Sequence, residues 1–516
     1  MKSKILIGII VVILACCAIY AGTATFSGSD DNKLSLNTEN LEQADNLIVN
    51  DEQKVEKKLY TTDKADTNTI LVENNSTLDI KKSVINKTGD TTNSGDSVDF
   101  YGTNSAILIK KGSSANIDNV EINTNATGSN AIFVTNAESG DDSSNQGGKA
   151  PMGGQPDGMP GQDGGEKPAD MPTNNGGEKP DEPSGNDNMQ EPAENGQNAP
   201  DGQSNTDYST GGANASVTNV IINTYKDKSR GIDATYGGKI SVADSVINTR
   251  GGSCAALATD RGEGTINADK CELNTGVDNG SGRGSPCIYS TGNITVSDSK
   301  GTAYNSQIAC IEGKNSITMD NCELSCFAGG NREDNGKFVD LGGIFIYQSM
   351  SGDADVGTAT LNAKDSRLSI DESSEHYTTA PMFHVTNTKA IINIENTEVK
   401  FGSNTLLNIS GQNQWGNVGS NGGELVFNCN EEKIKGNIYV DGISSLKFDM
   451  KNTEYTGAVN PTEDNGETNV TLDTSSTWTL TEDSHITNLE NNGKIDYANH
   501  TLYVNEQAYT SSNPYK

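Results

Sequence analysis

The chain has 516 residues, long enough for several domains, yet only 32% are hydrophobic and 5% aromatic. Large side chains are too few for one broad core, so an ordered fold must bury small residues in regular layers. The formal net charge of −33 argues against nucleic acid and against an anionic lipid surface as partners, because both would be repelled.

Residues 1–24 read as an export signal or a membrane or lipid anchor. Lys2 and Lys4 precede an apolar run from Ile5 to Ala21, the charged and apolar regions of an export segment. Its fate stays open. Gly22–Ala24 offers small residues for cleavage. Ile13–Cys16 resembles a lipobox that would leave Cys16 lipid-modified, although Leu14 is bulky for it. The apolar run is also just long enough to span a membrane. In each case the remainder is expected outside the cytoplasm, extracellular or at the cell surface, touching membrane only through this segment. Residues 25–57 are polar without a sustained apolar period and are expected to be a spacer.

Residues 58–137 carry the first copies of a repeat, as in "NIDNVEINTNATG". Residues 138–212 hold nine of the 13 prolines, many glycines and two copies of "GGEKP". Such composition cannot bury a core. The repeat grammar resumes at once in "SVTNVIINTY", so the segment is an excursion from one continuous domain.

Residues 213–468 form the main body. "KISVADSVINTRG" (Lys239–Gly251) returns as "TINADKCELNTG" (Thr265–Gly276) and "SITMDNCELSC" (Ser316–Cys326). An Asn, Asp or Lys marks each copy: Lys82, Asn119, Asn219, Asp244, Lys270, Asp298, Asn321, Asp365, Asn396 and Asn452. From Asn219 to Asn321 the steps are 25, 26, 28 and 23 residues. The longer interval from Asn396 to Asn452 holds two units, the middle one degenerate around "ELVFNCNEE". A period in this range signals stacked units.

Within each unit, apolar residues alternate before the marker (Ile240/Val242, Ile266/Ala268, Ile294/Val296) and one follows it (Ile247, Leu273, Leu324). A second short strand lies upstream, such as "GIDAT", "CIYST" or "IFIYQ". The period is two, never 3.6. The dense Leu framework of leucine-rich repeats is absent, and so are the long aromatic-marked units of propellers. The pattern predicts an all-β fold, a right-handed parallel β-helix with coils about 4.8 Å apart. Its narrow interior suits Val, Ile, Ala, Ser and Cys, and polar residues at the bends stack in columns. Residues 469–516 are expected to be terminal coils and a cap, with Trp478 closing the apolar end.

The ladder of coils, the export segment, the Asn/Thr/Gly richness and the closing "STWTL…ITNLENNGKI…TLYVN" resemble adhesin-like and autotransporter-passenger β-helix proteins of microbial surfaces. Their architecture is shared with the pectate-lyase-like superfold. The resemblance covers roughly residues 58–137 and 213–505. It implies an exported surface protein that binds an extracellular polysaccharide or surface glycan, or a host or matrix surface, without catalysis. It leaves open a polysaccharide lyase, a glycoside hydrolase or a passive spacer, since one fold hosts many functions. The Gly-His-Gly and Arg-Ile-Lys expected of polygalacturonase-like members do not occur.

Aligning the upstream strands gathers a candidate binding strip on one face: Arg230, Asp233, Asp260, Arg261, Tyr289, Glu312, Lys314, Tyr347 and His384. Rings would stack on sugar faces, and paired carboxylates are the groups that acid–base chemistry requires. The same residues would equally serve as a solvated face. No catalytic residue is assigned. The seven cysteines from Cys254 to Cys429 show no zinc spacing and no even framework, so they read as small buried residues and no metal site is assigned. The carboxylate excess permits Ca²⁺ without locating a site, and no other cofactor is expected. "GSGRG" (Gly280–Gly284) reads as a loop, because no helix follows it to cradle a phosphate.

Overall fold

The computed structural model describes residues 40–93, 95–138, 208–277, 285–329, 332–334, 337–339, 342–462 and 465–509. The export segment with Cys16, most of the Pro/Gly-rich insertion and Gly280–Gly284 lie outside the described residues.

The coil that begins at Lys239 shows how the sequence builds the molecule. Lys239–Ala243 pairs in parallel with Asn214–Thr218 on one side and Thr265–Asp269 on the other. After a bend at Asp244, Val246–Thr249 pairs with Ile221–Thr224 and Glu272–Thr275. The third strand of each coil belongs to a separate 12-stranded sheet that runs in chain order from Leu47–Val49 to Asn437–Val440. The larger sheet has 23 strands. The chain is therefore an all-β parallel β-helix solenoid, as the repeat predicts.

Alternation is what turns each strand into a wall. Ile240 and Val242 are 1% and 2% exposed, while Lys239 and Ser241 face out. Their register partners Ile266 and Ala268, then Ile294 and Val296, then Ile317 and Met319, continue the same inner columns. Burial of each such side chain contributes about 1.5–3 kcal/mol. Toward the C-terminus the columns become aromatic: Phe427 stacks on Phe448, and Tyr455 packs between Phe448 and Trp478.

The marker residues are the bends. Lys82, Asn119, Asn219, Asp244, Lys270, Asp298, Asn321, Asp365, Asn396 and Asn452 all have φ between 46° and 56°, the left-handed region that Asn and Asp tolerate best. Glu431, at φ 58°, occupies the same place in the degenerate unit.

Two expectations are corrected. Residues 25–57 are not a spacer throughout. Glu42–Ala44, Leu47–Val49 and Glu52–Glu56 pair with Lys58–Thr62, Ile70–Val72 and Thr77–Lys87, and Lys57 bends at φ 56°. Glu42–Ala44 and Glu52–Glu56 carry few apolar residues, and a single inward side chain such as buried Val55 suffices to continue a column. Trp478 does not close the apolar end either. It is fully buried, donates its indole N–H to the Gly457 carbonyl at 2.9 Å, and has Ile495 paired beyond it. The ladder ends instead in an antiparallel pairing of Leu502–Val504 with Gln507–Tyr509, which changes strand direction at the terminal coil.

Candidate functional site

The smaller sheet carries the predicted strip on its outer face. Asp233, Ala258, Tyr289, Cys310, Phe345 and His384 follow one another in register across successive coils. Glu312 lies opposite Tyr347. The Tyr289 hydroxyl donates to Glu312 at 2.8 Å, and Arg261 reaches the same cover through Asp353 at 2.7 Å. Asp233, Tyr289, Glu312, Tyr347 and His384 therefore lie on one face of this sheet.

That face is covered, which corrects the expectation of a solvent-open strip. Asp233 and His384 are fully buried, and Arg230, Asp260 and Glu312 are 9%, 4% and 2% exposed. The cover comes from long excursions that fold back across the sheet. Arg230 bridges Asp260 at 2.7 Å and Asp99 at 3.2 Å, with Asp233 at 3.6 Å. The Arg261 guanidinium sits 3.9 Å over the Phe100 ring. The amide and hydroxyl of Ser349 both donate to Glu312. Tyr347 stacks on Phe345 and Trp415, each 4.7 Å away. His384 meets the Gln412 amide at 3.2 Å. Lys314 stays at the rim, half exposed, paired with Glu263 and Asp355 at 2.6 and 2.8 Å.

Burial sets the electrostatics of this closed cluster. It pushes the Asp260 carboxyl up to about 7 against the pull of Arg230, and Asp233 well above the usual carboxylate range. Burial also raises Glu312, although hydrogen bonds from Ser349 and Tyr289 oppose it. Although burial works against its charge, Asp233, Asp260 and Asp99 hold the Arg230 guanidinium protonated. Among the described residues no group of three or more His, Cys, Asp or Glu side chains is arranged to hold a metal ion.

The open concavity lies elsewhere. A groove of about 1250 Å³ runs along the bend of the larger sheet, lined coil after coil from Asn219 to Lys433. Eight bends border it, from Asn219 to Glu431, a length of about 34 Å at the usual strand spacing. Its floor is the residue after each bend: Ser245, Cys271, Ser299, Cys322, Ser366, Thr397 and Glu432.

That floor has a structural cause. The bend takes one backbone N–H per coil out of the ladder, and a buried unpaired donor is costly. The hydroxyl of the next coil accepts it. Cys271 N–H donates to Ser299 at 2.9 Å, and Cys322 N–H to Ser366 at 3.0 Å. Each of those hydroxyls also donates to the carbonyl two residues back, at 2.6 Å.

One flank of the groove alternates in charge at every coil: Glu272, Lys300, Glu323, Arg367, Glu398, Lys433. Lys300 pairs with Glu272 at 3.5 Å, and Arg367 with Glu323 and Glu398 at 3.6 and 3.4 Å. Exposed pairs stabilise little, but a slip by one coil would set like charges side by side. Beyond that flank, Asn223, Asn248 and Asn274 form an amide ladder, each Nδ2 donating to the preceding Oδ1 at 3.1–3.2 Å.

The sequence predicts that polar residues at the bends stack in columns but does not show that the column from Ser245 to Glu432 floors a groove. The alternating signs from Glu272 to Lys433, each two residues after a bend, were the available signal. No family model matches the chain, and a search of curated proteins finds no match to it.

Proposed function

We propose that the chain is an exported, adhesin-like surface protein that holds an extracellular polysaccharide along its length and performs no chemistry on it. The observation that carries this reading is the groove, a continuous channel of mostly polar lining bordered by eight bends. An extended polymer lying in it would meet the alternating charged flank coil after coil, so weak contacts accumulate along it. The strip residues speak against catalysis in this reading, because their polar groups are engaged within the protein. Asp260 bonds Arg230, and Glu312 is held by Tyr289 and Ser349. A glycosidase needs two carboxyl groups flanking an accessible bond.

A second reading, a polysaccharide lyase or glycoside hydrolase, draws on the raised carboxyls of Asp260 and Glu312. It requires the cover at Ser349–Asp353 to lift. A panel of polysaccharides incubated with the full chain, scored for both retention and cleavage, separates the two. Saturable retention without product is the expected result. Oligosaccharide release that disappears in Asp260→Asn or Glu312→Gln would establish the enzyme, and neither retention nor cleavage would leave a passive spacer.

A further inference from the structure

The groove floor breaks its own rule once. Ser245, Ser299, Ser366 and Thr397 each carry a hydroxyl that donates to the carbonyl two residues back, at 2.5–3.0 Å. At the next coil the place is taken by Glu432, whose Oε1 accepts the Thr397 N–H at 2.8 Å. A carboxylate accepts but cannot donate, so this coil gives up a bond that serine would make. Glu432 is 2% exposed and lines the groove, and its second oxygen has no hydrogen-bond partner among the described residues.

Among the described residues Glu432 forms no ion pair, and the nearest base along the chain, Lys433, is turned to Glu454 at 3.3 Å. The titratable neighbours are Glu395, whose charge opposes ionisation of Glu432, the buried thiol of Cys429, and Glu431 at the bend. A buried acid without a counter-charge, set where a hydroxyl would suffice, breaks a local rule with no structural gain. What it suits is a cation delivered from the groove.

We propose that Glu432 is a recognition point for an ammonium group, and that the polysaccharide taken by the groove is therefore an amino-sugar polymer with free amines. This rests on the polysaccharide reading above and narrows it. The amine donates to the free oxygen of Glu432, while Oε1 keeps the Thr397 N–H. Neighbouring sugars lie along the hydroxyl floor and the alternating flank.

The test is calorimetric titration of the full chain at about pH 7 and 0.15 M salt with three probes: a glucosamine hexamer, its N-acetylated counterpart and hexalysine. Glu432→Ser is the variant, because it restores the hydroxyl the column uses elsewhere and its fold is checked by circular dichroism. The glucosamine hexamer is expected to bind about tenfold more tightly than the acetylated one, as a charge-assisted hydrogen bond allows. Glu432→Ser should abolish that preference. Equal binding of the two hexamers by the wild type, a preference that survives Glu432→Ser, or equally tight hexalysine would overturn the inference. The first two outcomes leave the polysaccharide reading standing. Binding of neither hexamer removes both.

Discussion

A serine after a bend does two jobs with one side chain, accepting an N–H from the preceding coil and donating to its own chain. Ser299 shows both, toward Cys271 N–H and the Ser297 carbonyl. Ser299→Ala strands a buried donor and is expected to cost about 1–3 kcal/mol, whereas Ser299→Thr should stay near wild type; urea melts distinguish them. Glu432 makes the same position sensitive to pH. Burial raises its carboxyl from 4.5 to about 7. Between those values the native state keeps a proton that the unfolded chain has released. The stability present below about pH 4.5 is therefore lost as pH rises through 7. Glu432→Ser should melt higher than wild type at pH 8 by about 1–3 kcal/mol and differ little at pH 4.5. A difference independent of pH would contradict the assignment.

Among elements, the coil was legible because its chemistry repeats. Asn and Asp recur at the bends since few other residues adopt positive φ cheaply, and the inner columns demand an apolar residue at every second place. Glu431 escaped that reading because glutamate gives no hint of a left-handed bend. Glu431→Asn should raise stability by about 0.5–1 kcal/mol, measured by thermal melting; a loss would show that the Glu431 side chain holds the bend. The first strands were missed for a related reason. Glu52–Glu56 buries only Val55 deeply, too little for a pattern to show. The cover on the smaller sheet was not legible either, since Arg261 meeting Phe100 and Asp353 joins segments that sequence spacing does not connect. At the other end, Trp478 packs on Tyr455, which in turn meets Phe448 inside the core. Trp478→Ala is expected to cost about 3–5 kcal/mol. In a solenoid, where each coil leans on its neighbours, hydrogen exchange should rise first over residues 454–509 and leave the coils before Asn396 protected.

For the whole molecule, the stacking that made the fold readable also decides which surface is available. Columns of one residue per coil produced both the strip and the groove, and the sequence announced the strip because its residues are chemically conspicuous. Excursions then closed it, while a groove over the buried hydroxyl and thiol column stayed open along eight bends. The most direct measurement of the account is binding affinity against glycan length, with the full chain and a series of oligosaccharides of one chemistry. A groove of about 34 Å predicts affinity that climbs with each added sugar, levels off once the groove is filled, and yields no shortened product. Affinity indifferent to length, or shorter sugars appearing in the mixture, would contradict it.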